Sequence, residues 1–443
     1  MERGKLWTLV DCLSEAVDKL PERAEYSASK YSNRDAVNSA FGAFFFQFPS
    51  LLRYMRELED REKRDNVQSL FDVQGIPSDN HIRSMADGIA PAAIGRVFNE
   101  ALKVAQQSGV MDEYRVLDGG VLAAMDGLWY FHSEKISCPH CLTKKVKDQD
   151  GAEHTEYYHA AVACALVKPG CNKVLPVAPE IIRNTDGEKK PHPFGCADCE
   201  LAAGKRWLDA HTGEYRWLKP TLLGDDLYSN RPFCEKITKE GWNFIFTCKE
   251  ESHPWLTGTV KNSYLHEVRD VRWDARKKKH VVHTWRYLNA VPVRYDEKDP
   301  FMVNYFSYEI RAEGSKKPSY SNSWVTSKPI TDLNVAYLAE CGRARWKIEN
   351  EHNNVLKNRG YNLEHNFGHG SSHAADIFFV LNLLALQFHT ILEYCDVEYQ
   401  LTYSAFPARV AFFEAVRVLI RRRYFASWPE FMRYVRGKDE GPL

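Results

Sequence analysis

The sequence predicts an α/β fold: a mixed sheet flanked by helices, with a β-rich insertion and helical regions at both ends. Three observations predict it. Between residues 113 and 251, strand-like and helical runs alternate in the order β-β-β-α-β-α-β. Residues 252–330 hold short runs rich in Val, Tyr, Thr and Trp, which read as antiparallel strands. Apolar residues at helical spacing dominate 1–112 and 371–443. At 443 residues, the chain is long enough for two or three domains with a large core.

Taken in order, "LWTLVDCLSEAVDKL" and "SAFGAFFFQFPSLLRYMREL" read as helices, the second punctuated by Pro49. "IPSDNHIRSMADGI" opens on Pro and capping Ser/Asp/Asn residues and then turns helical. This region, 1–112, is expected to bind DNA or support dimerisation. The texture changes at about 113. "EYRVLDGGVLAAMDGLWYFHS", "YYHAAVACALV" and "KVLPVAPEII" read as strands, "CADCELAAGKRWLDAHTGEY" as a helix, and "TLLG", a helix and "WNFIFTCKE" complete 113–251. The insertion 252–330 follows. Helical character returns in 331–370, with "RARWKIENEHNNVLKNRG", and continues through 371–443.

Composition excludes little. Hydrophobic residues are 44% and charged residues 27%, ordinary for a globular protein. Net charge is zero, so any nucleic-acid surface must come from local charge. No stretch resembles a signal peptide. The apolar run 377–388 is shorter than the roughly 20 residues that a bilayer needs and reads as a buried helix. A cytoplasmic, nucleoid-associated protein without membrane contact is expected. Eleven cysteines, several lying singly in apolar surroundings like Cys164 and Cys395, fit reduced thiols.

The carboxylates carry the chemistry. Asp126 lies inside the apolar run "AAMDGLWYF", where a carboxylate is costly unless paired or metal-bound. Asp225 closes the strand "TLLG", and its neighbour Asp226 is a rival for the same role. On the helix after 343, Arg345, Glu349, His352 and Asn353 fall at i, i+4, i+7 and i+8, on one face. Plainer readings stay open for each: a turn residue beside glycine for Asp126, a helix cap for Asp225 or Asp226, and a surface ion pair for Arg345 with Glu349.

In these pieces the sequence resembles the DDE transposases of bacterial insertion sequences, in the group with a Tyr-x2-Arg-x3-Glu-x6-Lys signature and a β-rich insertion between the second Asp and the Glu. The matching stretches are "AAMDGLWYF" (Asp126), "TLLGDDLYSNRP" (Asp225) and "RWKIENEHNNVLKNRGYNLEH" (Arg345, Glu349, Lys357). The signature Tyr would fall on Gly342, and seven residues rather than six separate Glu349 from Lys357. Glu351 is a rival for the third carboxylate. The resemblance implies a ribonuclease-H-like core and two Mg²⁺ (or Mn²⁺) ions held by Asp126, Asp225 and Glu349. It also implies phosphate contacts from Arg345 and Lys357, and cut-and-paste cleavage and 3′-OH strand transfer at the terminal inverted repeats. The implied partners are double-stranded DNA, both ends and target, and a second copy of the chain in a dimer. Two alternatives remain: a metal-dependent endonuclease of this fold without strand transfer, and a non-catalytic, zinc-stapled DNA-binding protein.

"SCPHC" (Cys138, Cys141) and "GCADC" (Cys196, Cys199) each have the bite of a structural zinc knuckle. The 54 residues between them make one Zn²⁺ site a candidate only if the fold brings the two loops together. A variant completes a three-cysteine site with His140, His159 or His192. Basic clusters at 276–280 and 421–423 are candidates for phosphate contact or solvated charge. Trp285, Trp324 and Tyr287 are candidates for stacking on a base or for core packing.

Overall fold

The computed structural model describes residues 4–21, 30–58, 66–148, 150–186, 197–275, 278–294 and 298–437. The N-terminal region forms α1 (Gly4–Asp18), α2 (Asn33–Phe45), α3 (Leu51–Leu58), α4 (Asn66–Phe71), α5 (Asp79–Ala86) and α6 (Pro91–Gln107). Local chemistry sets their starts. Ser32 and Asp35 form a reciprocal capping box on α2. Ser78 caps α5, and Pro91 opens α6, where no N–H partner is needed.

The sheet begins with β1 (Val121–Ser133), β2 (Leu142–Lys147), β3 (Glu153–Val167) and β4 (Leu175–Ile181). Next come α7 (Ala197–His211), β5 (Pro220–Gly224), α8 (Arg231–Lys239), β6 (Asn243–Thr247) and α9 (Pro254–Lys261). Four further strands follow: β7 (His266–Asp274), β8 (Lys279–Pro292), β9 (Met302–Ala312) and β10 (Tyr320–Thr326). These described strands make one ten-stranded sheet in the order β2-β3-β1-β5-β6-β10-β9-β8-β7, with β4 also paired to β3. β1 is antiparallel to β3 and parallel to β5, and β5 is parallel to β6. The order β4-β3-β1-β5-β6, with helices on its faces, is consistent with a ribonuclease-H-like core. β10 pairs antiparallel with β6, so the 266–326 strands prolong this sheet.

The sequence reading missed β2 and β7. "LTKKVK" and "HEVRDVRWD" are charged and largely exposed, so neither shows an apolar face. Pairing with β3 and β8 holds them in place. Trp285, Trp324 and Tyr287 are buried, and Trp285 stacks on Tyr308 with centroids 5.1 Å apart; core packing accounts for all three.

After the sheet come α10 (Val335–Arg343), a 3₁₀ turn (Ala344–Trp346), a π-helical turn (Ile348–Asn353) and α11 (Asn354–Asn358). α12 (Ala374–Cys395), α13 (Val397–Tyr403), α14 (Arg409–Leu419) and α15 (Trp428–Val435) complete the chain. α12 is the axis of the core, packing on α2, α6 and β4. By length and composition it would cross a membrane, but 94% of its most apolar window is buried, which makes it a core helix.

Candidate active site

β1 and β5 position the two aspartates. In their parallel register Ala124 lies opposite Leu223. Asp126 and Asp225 each lie two residues further on, so the same register carried forward sets them at one level on neighbouring strands. Val121 to Met125 are buried, which fixes β1 in the sheet and brings Asp126 to the edge of the apolar interior. Asp225 directly follows β5, and its Oδ1 accepts the Leu227 N–H at 2.9 Å. The helix-cap reading is therefore also realised locally, across the 3₁₀ turn at Asp226–Tyr228.

Asp226 is engaged elsewhere. It accepts the Lys249 N–H at 2.6 Å, and His253 Nε2 stands 3.2 Å from it. Burial pushes its carboxyl up, but these donors outweigh burial and hold it below the usual range. Asp225 is pushed the other way, chiefly by burial. Of the two neighbours, Asp225 is thus the carboxylate left to share a site with Asp126.

The third carboxylate comes from the π-helical turn. Glu349 is half-exposed, and Arg345 Nη2 donates to its Oε1 at 2.7 Å. Asn353, one turn on, donates from Nδ2 to Asp126 Oδ2 at 3.0 Å. That bond ties the Glu349 segment to β1. His352 leaves the face on which helical spacing puts it. It is fully buried, and its Nδ1 meets Asn353 Oδ1 at 2.8 Å. A π turn advances the chain by an extra residue, a rearrangement frequent at functional sites. Glu349, Asn353 and Lys357 line a groove of about 720 Å³ together with Gly127 and Trp129, whereas Glu351 lines a different one. Lys357 Nζ is 2.7 Å from Glu364 in the same groove. A cavity of about 770 Å³ elsewhere in the fold touches none of Asp126, Asp225 and Glu349.

The charges of these groups also bear on one another. The Asp126 carboxyl is pushed up to about 7, first by burial, then by the negative charges of Glu200 and Glu349, with Asp225 adding to them and Arg345 opposing. Arg345 also lowers Asp225. Glu200 has no counterpart in the sequence reading. It accepts the Tyr228 hydroxyl at 2.8 Å, and burial raises its carboxyl. Glycine at 127 makes room for it, since a Cβ there would lie 2.5 Å from Glu200 Oε2. In sequence Glu200 is one more acid in the first turn of a helix, with nothing to mark it.

Packing keeps position 342 small. A Cβ at 342 would meet the buried Trp324 indole at 2.8 Å, so no tyrosine fits there without moving that indole. The zinc assignment needs correction. Cys138 and Cys141 do converge with other ligand groups, but these are His159 and His369, all four ligand atoms lying within 4.8 Å of one another. Cys199 is buried at the start of α7, is disulfide-bonded and not the reduced thiol expected, and is not part of that group. Cys196 and His192 lie outside the described residues. The β1–β3 pairing explains the outcome, since His159 sits opposite Phe131, near the end of β1 from which the Cys138–Cys141 loop departs. His369, 228 residues from Cys141, carries no spacing signal at all.

A mixed sheet with one aspartate within a central strand, Asp126 on β1, and another just past the end of its parallel neighbour, Asp225 after β5, is the class of site that the fold defines. Residues 200–387 match the family model described as a transposase DDE domain, which supports a DDE transposase and, with it, DNA recombination by transposition. The match spans less than half of the chain; it includes Asp225 and Glu349 and begins after Asp126. No curated protein matches the chain.

Proposed function

We propose that this chain is a cut-and-paste transposase of an insertion sequence, cleaving DNA at the element's ends and transferring the freed 3′-OH to target DNA. The observation that carries this reading is geometric: the parallel β1–β5 pairing leads Asp126 and Asp225 out on neighbouring strands, and the Asn353 bond to Asp126 brings the segment of Glu349 and Arg345 to them. Asp126, Asp225 and Glu349 would hold two Mg²⁺ (or Mn²⁺) ions. Their donor set is all oxygen, as hard cations require, and the Asp126 carboxyl is raised first by burial and then by the negative charges of Glu200 and Glu349, which a bound cation would offset. Such ions, when bound, activate water or a 3′-OH and stabilise the leaving oxygen.

The remaining work falls to this chain's own side chains. Asn353 holds one oxygen of Asp126 and leaves the other to a ligand. Arg345 orients Glu349 through one Nη2 contact and keeps further N–H groups for a phosphate. Lys357 would exchange its Glu364 partner for the DNA backbone. Terminal inverted repeats and target DNA would lie along the groove, with a second copy pairing the two ends.

The test uses labelled DNA carrying the sequences that flank the reading frame, with Mg²⁺. The wild-type chain should give cleaved and joined products. Asp126→Ala, Asp225→Ala and Glu349→Ala should each lower cleavage by about 10³-fold or more, which corresponds to about 4 kcal/mol of barrier. Cleavage without joining would leave a nuclease. Undiminished Mg²⁺-dependent cleavage in Asp126→Ala or Asp225→Ala would overturn the catalytic assignment.

A further inference from the structure

Cys138, Cys141, His159 and His369 come from three separate parts of the chain. The two cysteines lie in the connection after β1, His159 is on β3, and His369 is in the segment between α11 and α12. We propose that these four residues form a structural Zn²⁺ site, Cys₂His₂, that pins the segment following Glu349 to the strand pair carrying Asp126.

The distances favour an ion over a chance cluster. A tetrahedral zinc with Zn–S of about 2.3 Å and Zn–N of about 2.0–2.1 Å requires ligand atoms about 3.8 Å apart for two sulfurs, about 3.5 Å for sulfur and nitrogen, and about 3.4 Å for two nitrogens. The Cys138 and Cys141 Sγ atoms are 3.7 Å apart. Three sulfur–nitrogen distances are 3.5, 3.5 and 3.4 Å. The two Nε2 atoms are 3.2 Å apart. Hydrogen bonding alone would not assemble this set. Thiols are weak donors and acceptors, and two imidazoles can share only one N–H···N contact.

The outer groups point the same way. Both histidines aim Nε2 at the common centre. His369 Nδ1 is 3.1 Å from the Gly370 carbonyl oxygen, which would accept its N–H. His159 Nδ1 is 3.6 Å from Asp376 Oδ1, which also accepts the Tyr130 hydroxyl at 2.6 Å. A carbonyl or carboxylate on the far nitrogen is the usual support of a metal-bound histidine, because it fixes the tautomer that leaves Nε2 free to ligate. Cys141, His159 and His369 are buried and Cys138 half-buried, so the centre is closed. With four protein ligands and no open position, the role is structural.

The consequence is mechanical. Tyr361 to Gly370 has no helix or strand to hold it, yet it follows the Glu349 segment directly. A zinc bound through His369 would fix its far end against β1 and β3.

The experiment is metal analysis of the full-length chain purified without chelator, with the zinc replaced by Co²⁺ in a parallel sample. About one zinc per chain is expected. The cobalt form should show a thiolate-to-cobalt charge-transfer band and the intense visible bands of a tetrahedral site. Cys138→Ser and His369→Ala should lose the metal, and Cys199→Ser should keep it. Should the two ligand variants fail to fold, the cobalt spectrum of the wild type still decides the matter. Absence of zinc after equilibration with Zn²⁺, a cobalt spectrum without thiolate bands, or loss of metal in Cys199→Ser with retention in His369→Ala would each overturn the proposal.

Discussion

At the scale of single residues, Asp126 is the group whose behaviour depends most on its surroundings. Burial and neighbouring carboxylates hold its acid near 7, against about 3.9 in an unfolded chain. The folded state therefore binds this proton more tightly. Its contribution to stability is fully present below about pH 4 and is lost as pH rises through about 7. In buffer without added Mg²⁺, the wild type should lose melting temperature between pH 5 and pH 8. Asp126→Asn removes the ionisation, so it should flatten that profile and melt about 2–5 °C above wild type at pH 8. Added Mg²⁺ should raise the wild-type melting temperature and leave Asp126→Asn nearly unmoved. A wild-type profile identical to that of the variant would show that Asp126 ionises freely.

At the scale of elements, the N-terminus of α12 is built by a residue 284 or more positions away. The Asp87 carboxylate accepts N–H bonds from Ser371, Ser372, His373 and Ala374, and a hydroxyl from Ser371. Burial alone would raise its acid, but these donors hold it well below the carboxylate range. Gly370 is required beside it: its φ is +68°, and a Cβ there would stand 2.1 Å from Asp87 Oδ1. This interaction ties α5 to the loop that carries His369. Asp87→Asn should cost about 1–2 kcal/mol at neutral pH, since solvent reaches part of the carboxylate. A lowered acid contributes stability above about pH 4 and loses it as pH falls further. The gap in melting temperature between wild type and Asp87→Asn should therefore be wide at pH 7 and close towards pH 3. A gap that does not change with pH would mean that the bonds matter by shape and not by charge.

At the scale of the whole molecule, the two ends of the chain fold as one layer. Asn66 donates to the carbonyl oxygens of Ile420 at 2.6 Å and Arg423 at 2.9 Å, and accepts the Phe425 N–H at 2.7 Å. Arg417 donates to the carbonyl oxygens of Phe46 and Gln47. Arg423 lies over the Tyr434 and Phe425 rings and faces Glu430, so part of the basic 421–423 cluster is structural. Asn66→Ala would strand the buried Ile420 carbonyl and Phe425 N–H and the partly buried Arg423 carbonyl, at a cost of about 2–3 kcal/mol. Denaturant unfolding should show the midpoint falling with the slope unchanged. A midpoint shift confined to one of two transitions would show that the terminal layer unfolds apart from the sheet.

Much of this molecule was legible in order of appearance. Alternation and apolar runs located β1, β3, β4, β5, β6 and the long strands after 279, because buried strands must be apolar whatever they pair with. The same rule located Asp126, because a lone acid in an apolar run asks for a partner. The sequence by itself indicated the types of most elements and offered Asp126, Asp225 and Glu349 as candidate acids. Only the tertiary structure decided which groups meet. Lys249 and His253 engage Asp226 and leave Asp225 to share the site with Asp126, and in the π turn His352 is buried while Asn353 reaches Asp126. Packing delivered Glu200 to Gly127 and His369 to Cys141. These are contacts across tens to hundreds of residues, made by surfaces that a one-dimensional pattern does not contain.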